Sequence, residues 1–277
     1  MKENFYKEFE SSHRGSFNQI SKRLSVYEPL LSAFFQAHKK ANFVDLGCGR
    51  GEFIKLCKKI GIDSLGVDKN ASLLAIAKKE NLNVINQDVI SWLSQQDDYS
   101  FDIISSLHLI EHLSLESLIK LINEIDRVLK PGGLVVLETP NPENFIVGSC
   151  NFFVDPTHVR PIPSDLLVFL FSKFKFSCSS IWRLKKEKLN ESNITLMDAV
   201  TGVSPDYSLI GLKEEEVKKG DLSQVKKIIQ TKHGYTLNEL MGFYEKRFVN
   251  SYNEQKKQTN LLKDYFLDNL NEVTKKN

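Results

Sequence analysis

The chain of 277 residues carries 37 lysines and arginines against 35 aspartates and glutamates, a formal charge of +2, with 41% hydrophobic residues. That balance argues against a dedicated nucleic-acid binder reading phosphates through a broad basic face, so nucleic acid is not an expected partner. The apolar share is enough for one large domain with an appendage. Cys48, Cys57, Cys150 and Cys178 form no C-x-x-C pair, and MKENFYKEFE lacks the apolar core of a signal peptide. No apolar run approaches the roughly 18 residues of a membrane span. The expectation is a reduced, cytoplasmic protein that meets the inner face of a membrane only peripherally.

Residues 17–38 carry Ile20, Leu24, Tyr27, Leu30, Leu31 and Phe34 at helical spacing, which predicts a helical N-terminal cover within residues 1–40. Between 42 and about 138, short β-branched runs alternate with helical patterns. NFVDLG (42–47) reads as a first strand, and GEFIKLCKKIG (51–61) as a helix closed by Gly61. DSLGVD (63–68) is a second strand, ASLLAIAKKE (71–80) a second helix and LNVINQD (82–88) a third strand. FDIISSL (101–107) follows as the fourth, then LESLIKLINEIDRVLK (115–130) as a long helix stopped by Pro131-Gly132-Gly133, then LVVLETP (134–140) as the fifth. Right-handed crossovers make this an α/β fold with a doubly wound, mostly parallel sheet.

A proline-rich stretch from Asn141 to Pro163 then runs without a clear period, and loops of that length in a compact domain are usually functional. A helix over 164–174, capped by Ser164, leads to the strands KFSCSSIWRL (175–184) and DYSLIGLK (206–213), which bring the sheet to seven and close a domain of residues 41–213. Trp92 and Trp182 read as core, and RLKKEK (183–188) as a solvated strand end. Residues 214–277 read as a helical extension in which Met241, Tyr244, Phe248, Leu262, Phe266 and Leu270 fall roughly at heptad spacing. That spacing predicts a coiled coil forming a homo-oligomer or binding a partner helix, with a helix folded back on its own domain as the alternative.

VDLGCGRGEF (44–53) follows the first strand and opens a helix, as a nucleotide loop must, and glycine is needed wherever backbone passes close to a ligand. Gly47, Gly49 and Gly51 make G-x-G-x-G rather than the G-x-G-x-x-G of a dinucleotide site. Asp68, about twenty residues on, is placed to accept from ribose hydroxyls, and Asp88 from an adenine amino group. Together VDLGCGRG, GVD, NQDV and FDIISSLHLIEHL resemble the ordered motifs of class I S-adenosylmethionine-dependent methyltransferases. The resemblance implies a Rossmann-like methyltransferase fold and S-adenosyl-L-methionine as cofactor. It places Asp45, Gly47, Cys48 and Gly49 around the methionine part, Asp68 on the ribose, Gln87, Asp88 and Val89 at the adenine, and Ser105, Ser106 and Leu107 beside the sulfonium.

FYKEFE…RGSF…ISKRLSVY (5–27), ETPNPENFIVGSCNFFVDPTHVRPIP (138–163) and TGVSPDYSLIGLK (201–213) resemble, more narrowly, bacterial methyltransferases encoded with glycosyltransferases for O-antigen and other surface polysaccharides. That resemblance implies a glycan or sugar-phosphate acceptor and a glycosyltransferase or membrane-surface partner. It also implies that Tyr6 and Arg23 help cover the cofactor.

The stretch SSLHLIEHL (105–113) places His108, Glu111 and His112 at i, i+3 and i+4, one face of a helix. The plain alternative is one half-buried helix turn with polar residues turned to solvent. The loop beyond the fifth strand adds Asp155, His158 and Arg160 with Phe152 and Phe153. Phe152 and Phe153 read as core before ligand platform, and Asp155 as the start of the Pro156 turn. Two chemistries fit. His112 or His158 is a general base oriented by Glu111, with Arg160 holding an anionic acceptor. Otherwise His108, Glu111, His112 and His158 bind a divalent metal that lowers the acceptor's pKa. The second resembles small-RNA 2′-O-methyltransferases and ubiquinone-pathway O-methyltransferases, where Glu-x-x-Glu-His opens the motif; here His108 stands in place of the first glutamate. An RNA 2′-O-methyltransferase and a small-molecule O-methyltransferase are therefore the alternatives. A zinc protease is disfavoured, because its motif needs the middle of a long helix and a strand precedes His108.

Overall fold

A computed structural model describes residues 15–184, 189–214 and 221–275. Its sheet is ordered β3-β2-β1-β4-β5-β7-β6, from β1 (Asn42–Leu46), β2 (Asp63–Asp68), β3 (Val84–Asn86), β4 (Phe101–Leu107), β5 (Leu129–Pro140), β6 (Phe176–Arg183) and β7 (Asp206–Lys213). β1 to β5 pair in parallel, and β7 slots antiparallel between β5 and β6. The doubly wound reading holds, with the order reversing between β1 and β4, where ligands of such sheets bind at the carboxyl ends of the strands.

The central strands are buried along most of their length, as the apolar runs require when helices cover both faces. One face packs α1 (Phe17–Leu24), α2 (Glu28–His38), α3 (Glu52–Ile60) and α10 (Ser223–Ile229), joining Tyr27, Leu31, Phe34, Phe53 and Val225 to Phe43 and Trp182. All six apolar positions expected on the N-terminal helices are buried there. The other face packs α5 (Val89–Leu93), α6 (Leu115–Val128) and α8 (Ser164–Phe171), with Trp92 and Phe171 in its core. α4 (Ala71–Lys79) links β2 to β3.

Three boundaries differ from the sequence expectation. α6 stops at Val128 and β5 begins at once, carrying Pro131-Gly132-Gly133 inside the strand. A register shift against β4 absorbs them, with Phe101 opposite Leu129 but Ile103 opposite Leu134. The expected stop is therefore a bulge. Ser164 is the first residue of α8 and caps nothing. The proline-rich stretch holds the short helix α7 (Phe145–Ser149) and a 3₁₀ turn at Asn151–Val154, and α9 (Leu196–Thr201), which spacing did not reveal, precedes β7. Tyr6 and Lys185 to Lys188 lie outside the described residues. α11 (Leu237–Lys275) is one 39-residue helix. Among the described residues no helix is long and apolar enough to cross a membrane.

Gly66 shows how tightly β2 meets its neighbours: a Cβ there would stand 2.3 Å from Ile54 Cδ1 and 2.6 Å from Cys48 Sγ. Gly66→Ala is expected to cost about 1–3 kcal/mol by overpacking, read as a lower midpoint in thermal or urea unfolding. A variant melting with the parent would show that this junction has slack.

Candidate active site

After Leu46 the chain turns through Gly47, Gly49 and Gly51 at φ of 76°, 52° and 87° before entering α3. A Cβ at Gly47 would meet Leu109 at 3.1 Å, so both conformation and space demand glycine. The turn hangs on β2: Gly47 and Cys48 N–H groups donate to Val67 O at 2.8 and 3.2 Å, and Gly49 N–H donates to Asp68 Oδ2 at 2.8 Å. Asp68 Oδ1 accepts from Asn70 N–H at 2.7 Å, and each carboxylate oxygen keeps a lone pair for a further donor. Asp45, 3% exposed, accepts from Ser105 Oγ at 2.6 Å, tying β1 to β4 at the cleft floor. Beside it Ser106 Oγ is buried without a partner among the described residues.

Gln87 N–H donates to Asp68 O at 3.1 Å, which sets Gln87, Asp88 and Val89 at the rim next to Asp68. Asp88, the expected adenine acceptor, uses Oδ1 to cap α5 through Ser91 N–H at 2.9 Å. The cleft before the glycine turn is lined by Asp45, Gly47, Cys48, Leu107 and Arg23, and by Ile20, Leu24, Glu52, Phe53 and His108. Burial pushes the Cys48 thiol pKa up, so it packs rather than reacts.

Arg23 anchors a buried charge cluster under this cleft. Its Nη2 donates to Glu138 Oε1 at 2.9 Å and its Nη1 to Asp206 Oδ2 at 3.0 Å. Tyr27 donates its hydroxyl to Glu138 Oε2 at 2.6 Å and also meets Ser208 Oγ. His108 enters from the end of β4 at φ 55°, its N–H bonded to Glu138 O at 2.9 Å. His108 Nε2 faces Glu138 Oε1 at 3.1 Å and Asp206 Oδ1 at 3.8 Å, while Nδ1 faces Glu111 Oε1 at 3.3 Å. Burial favours the neutral ring, but Asp206, Glu111 and Glu138 outweigh it and raise the His108 pKa to about 10. Both ring nitrogens then donate. The 3.1 Å approach of Arg23 Nη2 to His108 Nε2 is thus two donors converging on Glu138 Oε1, not a hydrogen bond between them. Burial would raise Glu138 too, yet Arg23, His108 and Tyr27 hold it at about 2. Asp206 is shifted up, by burial first and by the neighbouring carboxylates.

The expected single helix face of His108, Glu111 and His112 does not form. Ile110–His112 is one 3₁₀ turn, and the left-handed backbone at His108 sends that ring toward Glu138, away from the proline-rich loop. The four residues therefore part: His108 joins Glu138 and Asp206, while Glu111, His112 and His158 bring ligand atoms within 4.8 Å of one another. The first group already surrounds two cations, Arg23 and the His108 imidazolium, so its charge is met from within.

Val159 N–H donates to Glu111 O at 2.9 Å, docking the loop so that His112 and His158 stand 4.8 Å apart, edge to face. Thr157 Oγ1 donates to Asp155 Oδ1 at 2.7 Å within the Asx turn that Asp155 starts. It must therefore accept from His112 Nδ1, 2.9 Å away, and Thr157 O lies 3.2 Å from the same nitrogen. His158 Nδ1 donates to Phe152 O at 2.6 Å. In the neutral ring each Nε2 is left as the lone-pair nitrogen. Burial, with His158 beside it, lowers the His112 pKa against the pull of Glu111.

Glu111 is fully buried; Oε2 accepts from Thr139 Oγ1 at 2.9 Å, and Oε1 has the His108 ion pair but no aligned hydrogen bond. Burial would raise its carboxyl, yet His108 and then His112 hold it below the usual value. Among the described residues, Arg160 has Nε and Nη2 buried without a hydrogen-bond partner, the two nitrogens that form the side-on fork for a carboxylate or phosphate. Phe152 is buried and Phe153 is 64% exposed, so only the first is core.

The model of a family described as "Methyltransferase domain" matches residues 19–173. The chain belongs to that methyltransferase family. Among solved structures, a SAM-dependent methyltransferase from Archaeoglobus fulgidus is 28% identical, with a TM-score of 0.64 over 76% of this chain and 100% of that one. The plantazolicin methyltransferase BpumL, in complex with SAH, shares the fold at a TM-score of 0.54 and 16% identity, covering 76% of this chain and 90% of that one. A mitochondrial ubiquinone biosynthesis O-methyltransferase of Dictyostelium discoideum is 27% identical over 139 residues, 44% of this chain and 43% of that protein. The methyltransferase thus spans less than half the length of the curated relatives it matches.

S-adenosylmethionine is the cofactor of such a methyltransferase, and the cleft fits it: backbone turning through three glycines, with the Asp68 lone pairs beside it. Sequence spacing missed Tyr27, Glu138 and Asp206; the one available signal was Glu138, an acid within the apolar run LVVLETP. Asp68→Ala is expected to weaken S-adenosylmethionine binding about tenfold or more by calorimetry, through lost charged hydrogen bonds; unchanged affinity would remove its ribose role. Glu138 has a depressed folded pKa, so its stabilisation is present above the unfolded value near 4.5 and lost as pH falls toward 2. Glu138→Gln should cost on the order of 3 kcal/mol at neutral pH and flatten the acid limb of a stability profile. Parallel profiles for parent and variant would refute that assignment.

Proposed function

We propose that this methyltransferase is an O-methyltransferase acting on a hydroxyl of an anionic glycan, a sugar or sugar phosphate of a surface polysaccharide. The observation that carries it is the pair of imidazoles, His112 and His158, each with Nδ1 tied to a loop acceptor and Nε2 left as the lone pair beside buried Glu111. A hydroxyl needs its proton removed as it attacks, whereas a phosphate oxygen needs only positioning. An imidazole pair therefore favours a hydroxyl as the methylated oxygen. The unpartnered fork of Arg160 supports an anionic group elsewhere on the acceptor. The strings 138–163 and 201–213 support the glycan class.

S-adenosylmethionine supplies, when bound, an electrophilic methyl group on a sulfonium. The protein's part is alignment and proton removal. His112 Nε2 accepts the hydroxyl proton; Thr157, bonded at Nδ1, fixes the tautomer, and the Glu111 carboxylate nearby stabilises the imidazolium that forms. Glu111, His112 and His158 also suit a divalent cation, since both rings have carbonyl or hydroxyl support at Nδ1 and Glu111 Oε1 lacks an aligned donor. A cation held by these three residues would acidify the acceptor hydroxyl.

A second reading takes a phenolic hydroxyl, and the likeness to ubiquinone biosynthesis O-methyltransferases favours it. Labelled cofactor with nucleotide sugars, lipid-linked oligosaccharides, phenols and RNA, with and without chelator, separates the readings. Label on the glycan supports the first, label on the phenol the second, and label on RNA alone overturns both. With the productive acceptor, His112→Ala should lower kcat about 10²- to 10⁴-fold while cofactor affinity is retained. Arg160→Lys should raise KM for anionic acceptors more than it lowers kcat, because a lysine cannot reproduce the fork. Unchanged turnover in His112→Ala would remove its chemical role.

A further inference from the structure

α11 has two unlike halves. At its base Leu240 is buried, packed with Met241 and Tyr244 against Ile194, Ala199 and Val203, and Arg247 Nη1 donates to Ile194 O at 2.5 Å. From Phe248 to Asn269 every residue is exposed. That span, roughly 33 Å at helical rise, carries large apolar side chains left about 60% open: Phe248 61%, Tyr252 58%, Leu262 58% and Phe266 62%.

Their order is informative. Phe248, Tyr252, Gln255, Thr259, Leu262, Phe266 and Asn269 alternate in steps of four and three, the d and a positions of one continuous seam. Such a seam on a helix that none of the described residues covers is the half-site of a coiled coil. We propose that its occupant is a second copy of this chain, paired in parallel through residues 248–269.

Three observations select that occupant. Gln255, Thr259 and Asn269 interrupt the apolar seam, and in a parallel, in-register pair each meets its own copy and can exchange hydrogen bonds. In an antiparallel pair centred on the seam, Lys256 and Lys263, both at e positions, would face each other; in the parallel pair they face Ser251 and Gln258 at g positions. The span also holds three lysines (256, 257, 263) against three acids (254, 264, 268), which gives an anionic bilayer no net charge to attract. Two copies of the seam with Tyr265 at its flank bury on the order of 1,500 Å², within the range of stable interfaces.

Sedimentation equilibrium of the intact chain should give twice the 31.7 kDa monomer mass. Leu262→Asp with Phe266→Asp should shift it to monomer while methyl transfer and melting of the globular part hold. Asn269→Cys in a Cys150→Ser background should cross-link to itself on oxidation. A monomeric parent at all concentrations overturns the proposal, as does capture of that monomer by vesicles or by another protein. A dimer that survives the double aspartate variant overturns the seam. Failure of the self-cross-link in a dimer overturns the parallel orientation.

Discussion

Glu138 lies near the end of β5, the parallel strand that borders antiparallel β7, with no exposed side-chain surface, and three elements reach it from different parts of the chain. Arg23 and Tyr27 come from the N-terminal helices, His108 from the end of β4. A carboxylate so buried is tolerable only when it is fully paired, and the pairing in turn dictates where each partner stands. Arg23 must lie across the cofactor cleft, and His108 must turn out of the helical path. The N-terminal helices are therefore part of the cleft wall, and the residues after β4 divide into a cluster around Glu138 and a cluster on the proline-rich loop.

That division explains the geometry at Glu111. One oxygen looks toward the His108 imidazolium, while the residue's own carbonyl receives the loop that brings His158. The imidazolium lies between two sets of acids, and it stabilises both. The His112 ring, a turn away and on the loop side, is kept from charging by burial and by the neighbouring imidazole. Two histidines four residues apart thus differ in charge because one faces carboxylates and the other faces a second histidine.

The sheet was legible because its strands are apolar runs between glycine turns, and the cofactor turn because Gly47, Gly49 and Asp68 sit at strand ends. Helix periodicity also found the buried faces of α1 and α2, since a two-sided sheet must be covered on both sides. What periodicity could not show was a single positive φ. At His108 that one dihedral converts an i, i+3, i+4 pattern into two clusters, with the His108 N–H held by the distant Glu138 carbonyl. Pro131-Gly132-Gly133 misled for a similar reason: a stop signal and a bulge have the same residues, and pairing with β4 decides between them. Asp206 and Glu138 are 68 positions apart, and no local pattern announces that they share an arginine.

Glu143, in the proline-rich loop that runs on to His158 and Arg160, holds Arg183 Nε at 2.8 Å through one oxygen and the N–H of Leu237, the first residue of α11, at 2.9 Å through the other. A single carboxylate is thus a rivet through three plates: the proline-rich loop, the edge of the sheet and the foot of the long helix. Moving the loop away from α11 gives up the bond to Leu237 N–H, and tilting the foot of the helix gives up the same bond. The foot of the long helix and the segment that runs on toward His158 are therefore fastened at one point, so a change at Glu143 is felt by both.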